Sequence, residues 1–273
     1  KMRKTQGAAL AGRPYARAAL QILARLSGGA DLARHPLTAV RPPKKLALVI
    51  LTSDKGLAGA LNSGVLKAAA DALAAYPKEA VMVFGYGKKG YEHFARRGYE
   101  IARQWENRKD EVELPVMEEL SGEVARRFID KEFDQVLVAY SNFKSTFEQA
   151  PTVRTLLPLS LDGVQKLVQD IVPEKGKFSE LGAPEAVPAY SVEPEDADIL
   201  DSLVPRLAAA MLYHFFLEAK ASEHSARMVA MKNASDKSKE VVRDLTRTYN
   251  KLRQAAITRE VSEIVGGREA LAA

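Results

Sequence analysis

Apolar positions recur along this chain in two rhythms. From about Asp201 to Val265 they keep a helical period. Pro205 stands near the first turn, no other Pro or Gly interrupts, and Gly266-Gly267 is the expected stop. About sixty residues at ~1.5 Å each make a rod on the order of 90 Å long. Inside it, Val242, Leu245, Tyr249, Leu252 and Ala256 are spaced three, four, three, four. That is a narrow coiled-coil seam, not a broad core-facing stripe. Arg243, Asp244, Arg247, Lys251 and Arg253 fill the positions between. A second seam stands near the other end, with Tyr15, Ala19, Ile22 and Leu26 spaced four, three, four and Ser27-Gly28-Gly29 closing the run. The two seams predict an antiparallel pair of terminal helices, residues 1–29 and 195–273. A bundle in which both helices bury themselves fits less well, because the outer face of the long rod is polar throughout.

The middle, residues 30–194, has a different rhythm. Leu46–Thr52 is a continuous apolar run and predicts a buried strand of parallel type. Leu61–Ala75 is an Ala-rich helix. Ala80–Phe84 predicts a second buried strand, Lys88–Arg97 a helix, Tyr99–Trp105 a third strand and Met117–Phe128 an amphipathic helix. Gln135–Tyr140 is a fourth strand and Thr152–Leu159 a fifth at an edge. Residues 161–194 are broken by Pro and Gly and read as a loop. Strands alternating with helices predict a three-layer α/β sandwich inserted between the two rods.

Composition narrows the chemistry. Cys is absent, which excludes a disulfide framework, thiolate metal ligation and a thiol nucleophile. The net charge is +5, concentrated at the start. Residues 1–45 carry Lys1, Arg3, Lys4, Arg13, Arg17, Arg25, Arg34, Arg41, Lys44 and Lys45 against the single acid Asp31. Such a segment suits an acidic partner, whether nucleic acid, an anionic membrane or a carboxylate-rich protein surface; a solvated helix face is the plainer reading. No apolar run reaches the ~18 residues of a membrane span. The chain opens on Lys1 inside a helical pattern, so a preceding N-terminal segment is expected.

Two glycine-rich stretches are candidates for ligand binding. Gly85-Tyr86-Gly87-Lys88-Lys89-Gly90 is a literal GxGxxG between a predicted strand and a predicted helix, with Glu106 following the next strand. That context suits a dinucleotide, whose pyrophosphate the glycines admit to a helix N-terminus. Its place after the second strand, and the two lysines inside it, favour a plain tight turn. The second stretch, Asp54–Asn62, lacks the GxxxxGK[ST] pattern, and Gly56 and Gly59 read as a conformational turn. The four histidines lack ligand spacing, and no GxSxG, HExxH or CxxC occurs. No catalytic residue, metal site or cofactor site is assigned.

Four segments carry a resemblance. Arg227-Met228-Val229-Ala230-Met231-Lys232-Asn233-Ala234-Ser235-Asp236 resembles RMxAMxxATD of the gamma subunit of F-type ATP synthases. Ile257–Gly267 is similar to that family's ITxELxEIVxGA signature. Lys1-Met2-Arg3-Lys4 resembles its early KMRK, and Asp54–Asn62 its DRGLCGxLN. The match spans the chain in order. Lys55 and Ala58 stand where the family has Arg and Cys, Arg268-Glu269-Ala270-Leu271 replaces its small-residue tail, and without Cys a regulatory thiol pair is excluded.

The resemblance implies an antiparallel coiled coil with an inserted Rossmann-like domain, acting as the non-catalytic central rotor shaft. It implies alpha and beta subunits as a hexamer around the shaft, and the epsilon subunit and a c-ring at the foot. It places Arg227, Arg253, Gln254 and Thr258 against beta-subunit loops, with Tyr15, Ile22, Leu26, Val242, Leu245, Tyr249 and Leu252 in the seam. It also implies a peripheral position on the cytoplasmic face of the bacterial plasma membrane or the mitochondrial matrix face, with proton or sodium flow driving rotation. The alternatives are a nicotinamide-dependent enzyme using Gly85–Gly90 and a basic helical nucleic-acid-binding protein.

Overall fold

A computed structural model describes residues 35–160 and 196–272. Strand β1 (Leu46–Leu51) is followed by α1 (Leu61–Leu73), β2 (Val81–Tyr86), α2 (Lys88–Ala95), β3 (Glu100–Trp105), α3 (Leu114–Ile129), β4 (Gln135–Phe143), β5 (Gln149–Leu157) and α4 (Asp196–Ala272). The sheet order is β3-β2-β1-β4-β5. β1 runs parallel to β2 and β4, β2 parallel to β3, and only β5 is antiparallel, forming a hairpin with β4.

The centre of the sheet follows from period-two alternation with both faces covered. Leu46, Leu48 and Ile50 pack with Val65, Ala69 and Leu73 of α1 and Phe94 of α2. Ala47, Val49 and Leu51 face the opposite layer, with Met117, Leu120, Val124 and Phe128 of α3. Their spacing of three, four, four is one face of a helix. Where α1 crosses β5 the approach is close. A Cβ on Gly64 would lie 2.7 Å from Cγ of Pro151, a proline on the edge strand, where a missing N–H is tolerated.

The second layer has a further member. Val204, Leu207, Ala208, Met211, Leu212, Phe215 and Phe216, all on α4, are buried in the same cluster as α3. Phe215 stacks on Tyr140 of β4 and Phe216 on Tyr86 of β2, each at 4.7 Å between ring centroids. The base of the long helix therefore spans the central strand β1.

Two expectations about this helix are corrected. It begins at Asp196, so Pro205 lies inside it rather than near its first turn. An interior proline costs ~3 kcal/mol; each fully buried large side chain returns about 1.5–3 kcal/mol, and Val204 and Leu207 flank it in the core. Nor do Gly266 and Gly267 end the helix, which runs on to Ala272. Neither adopts the left-handed conformation of a helix stop, and Arg268 to Ala272 are mostly strong helix formers. The hairpin also makes both of its strands differ from expectation, β4 at its end and β5 at its start. β4 reaches Phe143 and β5 starts at Gln149, because each strand supplies ladder partners that single-strand pattern does not reveal.

The chain divides into two compact units, one ending at Arg227 and the other beginning at Met228. In the second, Val242, Leu245, Tyr249 and Leu252 are 62%, 64%, 63% and 65% exposed. Tyr15, Ile22 and Leu26, their expected partners, lie outside the described residues.

Candidate functional site

The GxGxxG segment joins β2 to α2, and its glycines are occupied by the protein itself. Gly87 has φ +97°, and a Cβ there would lie 2.0 Å from the carbonyl oxygen of Thr52. At Gly90 it would meet Thr52 Oγ1 at 2.8 Å, and at Gly85 Tyr91 Cβ at 2.5 Å. The N–H groups that would cradle a pyrophosphate are also engaged. Lys88 N–H donates to Asp54 Oδ1 at 2.8 Å, Lys89 N–H to Ser53 O at 3.2 Å and Gly90 N–H to Thr52 Oγ1 at 2.8 Å. The Asp54 carboxylate holds the position an anionic ligand would take at the helix N-terminus.

The fold offers a second place for a ligand. Strand order reverses between β1 and β4, and in open α/β sheets the crevice beyond the strand ends at such a point is where ligands bind. Here α4 fills it. Phe216, Lys220 and Glu223 enter beside Thr52, Tyr86 and Asn107, leaving about 10 Å³ for the centres of water-sized molecules. That is room for about one water. Among the described residues the buried Tyr86 hydroxyl has no hydrogen-bond partner. Burial, with Glu113, Glu223 and Asp54 nearby, pushes its pKa far up, so it stays protonated.

Above its apolar base, α4 makes polar contacts to the sheet. Glu218 accepts from Phe143 N–H at 2.8 Å and lies 3.4 Å from His214. Ser222 donates to Ser141 O at 2.8 Å. Lys220, 3% exposed, donates to Asn107 Oδ1 and Lys109 O, and its ammonium lies 5.6 Å from the Tyr86 ring centroid. Burial lowers its pKa, opposed by Glu223, Glu113, Asp110 and Asp54. Asn107 donates from Nδ2 to Thr52 O and to Glu223 Oε2, each at 2.9 Å. Glu223 in turn pairs with Arg227 at 2.7 Å.

The residues selected from sequence are not gathered in one place. Arg227 ends the first compact unit in that ion pair; Arg253, Gln254 and Thr258 are exposed in the second. Thr258 donates its hydroxyl to Gln254 O at 2.9 Å, within its own helix. In the Asp54–Asn62 turn, Gly59 is left-handed (φ +58°), but its companion is Leu57 (φ +62°) rather than Gly56. Asn62 fastens the turn, accepting from Ser53 N–H at 3.1 Å and donating to Ser53 Oγ at 2.8 Å. In the basic segment, Arg41 donates to Phe128 O at 3.0 Å and lies over the Phe128 ring, so it holds the end of α3; Lys1 to Arg34 lie outside the described residues. Sequence reading missed Glu218, Lys220, Ser222 and Asn107. The available signal was the polar run Glu218, Lys220, Ser222, Glu223 immediately after the apolar stretch Leu207–Leu217. Among the described residues no cluster of His, Asp and Glu could hold a metal ion, and no helix is long and apolar enough to cross a membrane.

The chain matches a family model described as ATP synthase over residues 1–271. It is 37% identical over 271 residues to the ATP synthase gamma chain of Pelotomaculum thermopropionicum, covering 99% of this chain and 89% of that one. To the ATP synthase gamma chain of Opitutus terrae it is 39% identical over 274 residues, covering 100% and 90%. Among solved structures it resembles the central stalk/c-ring structure of Tetrahymena thermophila mitochondrial ATP synthase, with a TM-score of 0.56 at 22% identity over 86% of this chain and 99% of that one. A chain of Euglena gracilis mitochondrial ATP synthase in rotational state 3 gives a TM-score of 0.56 at 18% identity, over 99% and 94%. These two likenesses carry the fold.

Proposed function

The chain belongs to the gamma-chain family of ATP synthases, and on that premise we propose that it is the central rotor shaft of an F-type ATP synthase. It is a non-catalytic subunit. Its partners are the alpha and beta subunits, within whose hexamer the long helix turns, and the epsilon subunit and c-ring at the α/β foot. The observation that carries this reading is the two-part character of α4. Its base is built into the sheet's core, while farther along Val242, Leu245, Tyr249 and Leu252 present a heptad row to the outside. A shaft needs both, a fixed foot and a surface for other subunits. The occupied glycines and N–H groups at Gly85–Gly90 argue against the nicotinamide alternative. We place the chain peripherally on the cytoplasmic face of a bacterial plasma membrane, because the relatives quoted above at 37% and 39% identity are bacterial.

Arg253, Gln254 and Thr258 lie within one and a half turns of the exposed helix, so two of them can meet one stator loop. The Thr258 hydroxyl is already bonded within the helix, which leaves Arg253 and Gln254 as the stronger contacts. Loss of one charge-assisted hydrogen bond there costs ~1.5–3 kcal/mol in the rotor position that makes it. The test is ATP hydrolysis and nucleotide occupancy in the reconstituted complex. Arg253→Ala and Gln254→Ala should slow turnover while leaving occupancy nearly intact, and Lys239→Ala, also exposed, should do neither. Equal effects from all three would reduce these residues to the polar face of a helix.

A further inference from the structure

The long helix changes how it is held partway along. Up to Leu217 the buried side chains that pack it on the sheet are mainly apolar, and apolar contact has no direction. From Glu218 to His224 hydrogen bonds join the apolar contact of Ala221 with Phe143, and they fix geometry and are expensive to break in a buried setting. At ~100° per residue, Glu218 and Ser222 share one side of the helix, ~40° apart, and both reach β4. Lys220, Glu223 and His224 lie roughly 140–240° further round and reach the segment after β3, through Asn107, Lys109 and Asp110. Rotation of the helix about its axis therefore breaks bonds on one side or the other, whichever way it turns. Lys220 is the centre of the second side, since Asn107 joins it to Glu223 and to the end of β1 at Thr52.

We propose that this two-sided polar clamp, centred on Lys220, is the torsional joint that locks the long helix to the α/β foot, with Lys220 as a positioning residue for torque transfer. The proposal rests on the rotor reading above and adds where within the subunit torque passes between helix and sheet. The apolar base supplies stability and the clamp supplies angular register. A clamp of this kind also accounts for a lysine in the crevice where related architectures admit ligands.

The test uses the complex assembled with alpha and beta subunits. The chain has no Cys, so Glu118→Cys on the exposed face of α3 gives one attachment point for a bead on the foot. With the hexamer fixed to a surface and turnover stalled, the angular variance of the bead reports the torsional compliance between head and foot. Lys220→Met keeps the length of the side chain and removes the ammonium; it should raise the variance roughly two-fold, as a new site of local opening in series with the shaft. Asn107→Leu removes the partner without altering the helix and should raise it likewise, while Lys220→Arg should bring it back toward the parent value. The exposed control Lys232→Met should leave it unchanged. If Lys220→Met and Asn107→Leu lower thermal stability but leave the variance at the parent value, the clamp is only structural and the proposal falls. Should Lys220→Met not assemble, Asn107→Leu and Glu223→Gln decide by the same criterion. A parent complex whose bead never turns with ATP would overturn the rotor reading itself, an outcome separate from the clamp.

Discussion

Residues 204–225 and 231–265 belong to one helix and are held in opposite ways. In the first stretch, after Val204, buried apolar residues come in adjacent pairs every four residues (Leu207/Ala208, Met211/Leu212, Phe215/Phe216). In the second, Val242, Leu245, Tyr249 and Leu252 form a narrow heptad row, and all four are exposed. A broad stripe matches a layer of a folded domain, whereas a narrow seam matches one partner helix. The first stretch is therefore helical because of tertiary packing. The second is helical here through local propensity and short-range pairs such as Lys237–Glu240 at 2.8 Å. One helix thus serves as an integral layer of the foot and as a presented surface.

The difference is most sharply broken by truncating one apolar side chain in each stretch. Phe215→Ala, which removes a fully buried ring stacked on Tyr140, should destabilise the chain by about 3–5 kcal/mol. Leu245→Ala should change its stability by no more than ~0.5 kcal/mol. Urea unfolding of the purified chain checks both, and comparable shifts would mean that the heptad row is already covered. The same contrast holds for carboxylates. Glu218→Ala leaves the Phe143 N–H without its acceptor and should cost ~1–3 kcal/mol. Glu240→Ala, on an exposed ion pair, should cost no more than ~0.5 kcal/mol in the same experiment.

Gly266 and Gly267 lie in the helix with nothing within 4 Å of a built Cβ. Gly266→Ala and Gly267→Ala should each favour the helix by ~1 kcal/mol. Far-ultraviolet circular dichroism would register the gain as reduced fraying on heating; a loss of helicity would show a local role for these glycines. The smallest effect belongs to the foot. Burial holds the His35 imidazole below its ordinary value of 6.5, against the pull of Asp201, and its Nδ1 accepts from Leu37 N–H at 3.1 Å. The unfolded chain then binds more protons than the folded one, so this contribution is complete above pH 6.5 and is lost as pH falls through the folded value. His35→Asn, whose side-chain oxygen can keep the cap, should flatten that acid-side decline in melting temperature, and an unaltered decline would assign it to other groups.

The sequence by itself determined the repeating parts. The continuous apolar run Leu46–Thr52 marked a buried strand of parallel type, an Ala-rich and an amphipathic stretch marked α1 and α3, and the three-four spacing marked a heptad row on the long helix. Each depends only on neighbours a few residues away, so a local pattern records it. The tertiary structure decided what joins distant segments. Pro205 is tolerated inside the helix because Val204 and Leu207 beside it are buried in a core whose other elements lie far earlier in the chain. The GxGxxG became a packing turn because Thr52 and Asp54, more than thirty residues away, occupy its glycine space and its N–H groups. Lys220 reads in sequence as one more charge on a helix. It becomes buried only because Asn107, Lys109 and Glu223 surround it with partners, and burial of a charge is stable only where such partners exist. Spacing along the helix cannot encode that condition, since Asn107 and Lys109 lie more than a hundred residues earlier in the chain.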